Sequence, residues 1–213
     1  VNFDGLIEEG WQLAPFDPSL LLSATPTLGL HAGYRLVAYL YRDGRHGNGV
    51  VWAIPAEDAS LDPHECPQTD LPRHAWTLDH APDLDPPRPP NALDDWMDAL
   101  TGDGSTAAYL SASLLARELA ELGATGHGAY WDDFTILDEA PSGPTWDWLS
   151  AAPQDWRPQV QFQPDFISVA FYTVNHMGTR RITRHHDRYA SGGTLRFDSD
   201  EQVIAVAGPG GRA

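Results

Sequence analysis

Four arginines, two histidines and an aspartate fall within ten residues of this 213-residue chain, in Thr179-Arg180-Arg181-Ile182-Thr183-Arg184-His185-His186-Asp187-Arg188. As a strand, the segment turns Arg180, Ile182, Arg184, His186 and Arg188 to one face and Arg181, Thr183, His185 and Asp187 to the other, because side chains alternate. A face carrying Arg180, Arg184, His186 and Arg188 suits a phosphate or carboxylate, which the guanidinium fork grips with two parallel hydrogen bonds. The competing expectation is that these arginines pair with the chain's own carboxylates across neighbouring strands. The excess of acid makes that competitor the stronger one.

His185, His186 and Asp187 also have the residue types of a metal site. Adjacent histidines on a strand point apart, so only His185 or His186 joins a given site, and further ligands must come from elsewhere in the chain. His127, Asp132 and Asp133, which bracket a short expected strand, complete a candidate set with His185. No HExxH, paired CxxC or calcium-loop pattern accompanies it.

Other chemistry is weaker. Gly44, Gly47 and Gly49, and again Gly123, Gly126 and Gly128, share the order GxxGxG. A dinucleotide loop needs GxGxxG between a strand and a helix, so both stretches read as turns, with Gly123 closing a helix. Asp94, Asp95 and Asp98 sit near an expected helix start, where carboxylates favour the dipole. Cys66 lies in His64-Glu65-Cys66-Pro67, a neighbourhood that suggests a thiolate without supplying catalytic geometry. No serine lies in a GxSxG elbow. Trp146, Trp148 and Trp156 read first as core and second as a stacking surface.

Composition narrows the classes. The chain has no lysine: all 13 basic residues are arginine, against 30 Asp and Glu, a net charge of −17. A Schiff-base lysine, a phosphate-loop lysine and a Ser-Lys dyad are therefore excluded. A GC-rich genome accounts for arginine replacing lysine, but the exclusion holds regardless. A lone cysteine excludes an internal disulfide and every multi-thiolate metal site. Residues 1–179 hold 7 arginines against 26 acids and residues 180–213 hold 6 against 4, so an anionic body carries one cationic segment. Such a surface disfavours nucleic acid and anionic membrane. Residues 1–10 lack the basic start of a signal peptide and no apolar run reaches membrane-spanning length, so a cytoplasmic protein is expected.

The elements that must position these residues follow from periodicity. Residues 34–42 and 49–54 are β-rich runs around a Gly/Asn/Asp cluster, which predicts a hairpin. Residues 20–23 suggest a short strand after an Asp17-Pro18 turn. Residues 55–93 hold nine of the 18 prolines and eight acids, a surface excursion with room for one strand at 74–78. A helix is expected at 92–100 and a stronger one at 106–122, where Ala108, Ala112, Leu115, Leu119 and Leu122 repeat at helical spacing behind a Ser105 cap. Strands at 127–131 and 134–137 and a short helix at 145–150 come next. Strands at 158–163, 165–174, 179–186, 194–198 and 201–207 complete the chain, with a hairpin connection at 175–178 and a tight turn at Ser199-Asp200. The fold class is α+β: mainly antiparallel sheet, two or three helices mid-chain and a C-terminal β-meander. One domain is expected over 1–207, with a subdomain boundary near 86–90 and a disordered tail at 208–213.

Two functions fit. The first is an acidic intracellular binding protein, of inhibitor or immunity type, engaging a basic protein partner and needing no cofactor. The second is a hydrolase acting on a phosphorylated or carboxylated small molecule, with Arg180, Arg184 and His186 holding the anion and His127, Asp132, Asp133 and His185 supplying either ligands for a divalent metal or general acid–base groups.

Overall fold

The computed structural model describes residues 9–44, 46–59, 61–70, 85–125, 131–143 and 145–208. They belong to two units, Val1–His127 and Gly128–Ala213. Both rest on antiparallel strands, and the described residues include one α-helix and four short 3-10 turns, so the class is α+β with mainly antiparallel sheet. The expected strand at 74–78 and most of that at 127–131 lie outside the described residues, as do residues 209–213.

In the first unit, β1 (Gly10–Leu13), β2 (Leu28–Leu30), β3 (Tyr34–Asp43), β4 (His46–Pro55), β5 (Leu100–Gly102) and α1 (Thr106–Ala120) follow in chain order. The expected hairpin is β3–β4, paired from Tyr34↔Pro55 to Asp43↔His46, with Gly44 at φ +55° just past β3. β1 adds to its edge, and β2 and β5 form a separate pair. Alternation sorts the hairpin into two buried faces. Val37, Tyr39, Val50, Trp52 and Ile54 pack with Cys66 and Ala92, so the described part of the segment expected as a surface excursion covers a sheet face around Leu61, Cys66 and Ala92. The polar tips of the buried aromatics hold it there: the Tyr39 hydroxyl donates to the Leu61 carbonyl at 3.1 Å and Trp52 Nε1 to the Pro87 carbonyl at 2.9 Å.

The other face meets the chain leaving α1. A Cβ on Gly49 would run into the Leu122 carbonyl, one on Gly47 would lie 2.7 Å from Thr125 Oγ1, and one on Gly123 would lie 2.7 Å from a Leu40 methyl. Gly47 and Gly49 thus lean on residues 122–125, and a Gly47↔Thr125 bridge joins the two segments. α1 starts where expected, with Ser105 Oγ accepting from the Ala108 amide, and Gly123 past its end sits at φ +77°.

Two expectations fail here. Residues 18–24 form a 3-10 turn instead of a strand, because the Asp17 carboxylate caps the Ser19 amide and Pro18 presets the first turn. Residues 92–100 hold only a 3-10 turn, Trp96–Ala99. Asp95 caps Met97 there, and Leu100 departs at once to pair with Leu30.

The second unit is one sheet: β6 (Phe134–Leu137), β7 (Trp146–Trp148), β8 (Gln159–Phe162), β9 (Phe166–Asn175), β10 (Arg181–Ala190) and β11 (Phe197–Ala207). The order is β6-β9-β10-β11-β7, with β8 also on β9. β9, β10 and β11 are the C-terminal meander. Asn175 closes the expected β9–β10 connection, its side chain donating to the Met177 carbonyl and accepting from the Arg181 amide, each at 2.6 Å.

Two further corrections arise. Ser199 and Asp200 do not turn: they run through the middle of β11 opposite Asp187 and His186, and the real connection at 191–196 contains Gly193 at φ +84°. Residues 146–148 are a strand, not a helix, because Trp-Asp-Trp alternates and Trp146 and Trp148 pair with Ala207 and Ala205.

Candidate functional site

β10 is the central strand of the second unit and carries most of the candidate residues. Its burial alternates: Thr183, His185, Asp187 and Tyr189 are buried, while Arg184 and His186 are half-buried and Arg188 is exposed. The arginine face is ordered by its cross-strand neighbours. His186 stands opposite Asp200, Arg188 opposite Asp198, and Arg184 opposite Gln202 on β11 and Tyr172 on β9. Arg184 Nη2 is 3.8 Å from Asp200 Oδ2, a long, half-exposed pair of small energetic weight. The Arg188 guanidinium lies 3.9 Å over the Phe166 ring.

Arg180 stands apart, one residue before β10. Its carbonyl accepts from the Ala207 amide, and its guanidinium lies 5.8 Å from the Trp146 ring centre. The four residues expected to share one anion site are therefore placed as a line of three along β10 and one arginine against a tryptophan.

The metal candidates are placed as follows. His127 lies outside the described residues. Asp132 is exposed in the 3-10 turn Trp131–Asp133, and the carbonyl of Asp133 accepts from the His176 amide. Among the described residues no group of three or more His, Cys, Asp or Glu could hold a metal ion. Both ring nitrogens of His185 are engaged within the sheet: Nε2 lies 2.9 Å from Thr173 Oγ1 and Nδ1 2.9 Å from Glu201 Oε1. With Nδ1 protonated to serve the carboxylate, Nε2 accepts from the threonine hydroxyl. Phe171 stacks on the ring at 4.7 Å and Trp131 meets it edge-on at 5.7 Å.

This hydroxyl–imidazole–carboxylate chain spans three adjacent strands, and Thr173 and His185 are sealed from solvent. Beside it the fully buried Asp187 accepts from the Ser199 hydroxyl at 2.7 Å. Neither Thr173 nor Glu201 stands out in the sequence. The place of Thr173 opposite Thr183 follows from the β9–β10 pairing, whereas that of Glu201 opposite His185 is visible only once β11 is known to be one continuous strand.

Elsewhere, Cys66 is a core residue. Its sulfur lies 3.4 Å from the Tyr39 hydroxyl, so the thiolate reading of 64–67 gives way to packing. Burial, then the bond to Cys66, raises the Tyr39 phenol well above its ordinary value. The half-buried Asp155 carboxyl is held at about 2 by hydrogen bonds from Arg157. Trp156 is buried, with Trp148 at 6.1 Å and Tyr172 at 5.3 Å. In the first unit, a cleft of about 390 Å³ opens between the 13–18 segment and residues 35–38 of β3. Its charged groups already serve the fold: Asp17 caps Ser19, and Arg35 Nη2 donates to the Asp58 carbonyl at 2.6 Å.

No protein-family model, no curated protein and no solved structure matches this chain. No helix among the described residues is long and apolar enough to cross a membrane.

Proposed function

We propose that the chain is an acidic binding protein, of inhibitor or immunity type, whose carboxylates engage a basic protein partner. The observation that carries this reading is the middle of β11. Asp198, Ser199, Asp200, Glu201 and Gln202 are exposed in succession, although alternate residues of a strand face opposite ways. Three of the five are acids, in a chain of net charge −17. Opposed charges steer partners together and make the encounter sensitive to salt.

The test is capture at low salt by the immobilised chain, followed by kinetics with the recovered protein. A basic partner is expected whose association slows roughly ten-fold or more between about 0.05 and 0.3 M NaCl. Asp198→Asn with Asp200→Asn should slow it further. Recovery of no basic protein, or association indifferent to salt, refutes the reading.

A second reading, the hydrolase, draws on the Thr173–His185–Glu201 chain, which orders a hydroxyl, an imidazole and a carboxylate as acid–base chemistry requires. It ranks second because both Thr173 and His185 are enclosed, leaving a substrate no route to them in this conformation.

A further inference from the structure

In a protein with 30 carboxylates and 13 arginines, a guanidinium is normally claimed by an acid. Arg88 is held by Asp94 at 2.6 Å and Arg157 by Asp155 at 2.9 Å. Among the described residues Arg180, like Arg181 and Arg188, forms no ion pair, and its Nε, like that of Arg184, is enclosed with no acceptor; its place against a tryptophan is what sets it apart. Trp146 Nε1, on the ring beneath the guanidinium, is also enclosed with no acceptor. At the far end of the guanidinium lies Gly143, exposed and at φ +124°, where a Cβ would come 3.2 Å from Nη1. Glycine therefore leaves space beside Nη1 that a side chain would narrow.

We propose that Arg180, presented by Trp146 and uncovered by Gly143, binds the carboxylate of a small monoanion with an apolar body. The planar fork of Arg180 takes a carboxylate through two parallel hydrogen bonds, while the indole fixes the plane of the guanidinium. One guanidinium balances a single negative charge, and the field of a chain of net charge −17 opposes a dianion. The apolar preference comes from the next residues. Trp148 shares the face of Trp146 on β7 and is 41% exposed, and Leu149 is 64% exposed. This site is separate from the β11 carboxylates and stands or falls without them.

The test uses the full chain labelled with nitrogen-15 and follows the arginine Nε–H signals during titration with benzoate, acetate and inorganic phosphate. The Arg180 signal, assigned by its loss in Arg180→Gln, is expected to shift saturably with benzoate. Acetate should bind about ten-fold more weakly, since it lacks the ring that Trp148 would cover, and phosphate no better than acetate. Arg181→Gln, an exposed neighbour, should leave the benzoate titration unchanged, whereas Trp148→Ala should weaken it several-fold. If Arg180→Gln does not fold, Gly143→Ala and Trp146→Phe carry the test, and both should weaken benzoate binding. An Arg180 signal that does not move, or one that phosphate shifts at lower concentration than benzoate, overturns the proposal.

Discussion

His185 shows how a residue that suggests chemistry can be claimed by the fold. Strand alternation sends it inward, where an unpartnered imidazole would pay heavily for leaving water, and Thr173 and Glu201 satisfy both nitrogens across the neighbouring strands. Thr173→Val keeps the shape and removes the hydroxyl, so Nε2 is left without its donor. Urea unfolding should show a loss of about 1–3 kcal/mol at unchanged slope. Glu201→Gln, whose amide oxygen still accepts from Nδ1–H, should lose less. Equal stability of wild type and Thr173→Val would mean that water replaces the hydroxyl. At this scale the sequence shows which residues could titrate or coordinate, but it does not show what His185 and Arg180 meet.

Among the elements, β11 matters most for reading the site. The sequence Asp198-Ser199-Asp200 has the composition of a turn, yet pairing with Asp187 and His186 on β10 carries the strand through it. That override hides Glu201 from any reading that breaks the strand at 199. The hairpin β3–β4 and the helix α1 were legible because their hydrophobic periodicities are long and their caps local. Residues 146–148 were not, because three residues hold too little periodicity to separate strand from helix, and the pairing with Ala205 and Ala207 decides it. The close contact between β4 and the chain leaving α1 makes a sharp prediction. Gly49→Ala should destabilise the protein by about 1–3 kcal/mol or more, since its Cβ meets the Leu122 carbonyl and backbone yields poorly. Gly192→Ala, with nothing within 4 Å, is the control, expected to be near neutral. Thermal unfolding of the pair checks both.

For the whole molecule, charge is the governing term. A net charge of −17 repels itself over the screening length, which falls from about 30 Å at 0.01 M salt to about 8 Å at 0.15 M. Adding NaCl over that range should therefore raise the melting temperature by roughly 2–4 °C, while the same salt weakens association with a basic partner. A melting temperature that falls over this range would contradict the account.

What the sequence determined by itself is what composition and local periodicity carry: the absence of lysine chemistry, the acidic surface, the antiparallel class, the hairpin and the long helix. What only the tertiary structure decided is which residues meet. Thr173, His185 and Glu201 come from three strands, and Gly143, Trp146 and Arg180 from two strand ends and a loop. Such meetings depend on register, and register is set by the burial of whole faces, not by any residue's own preference.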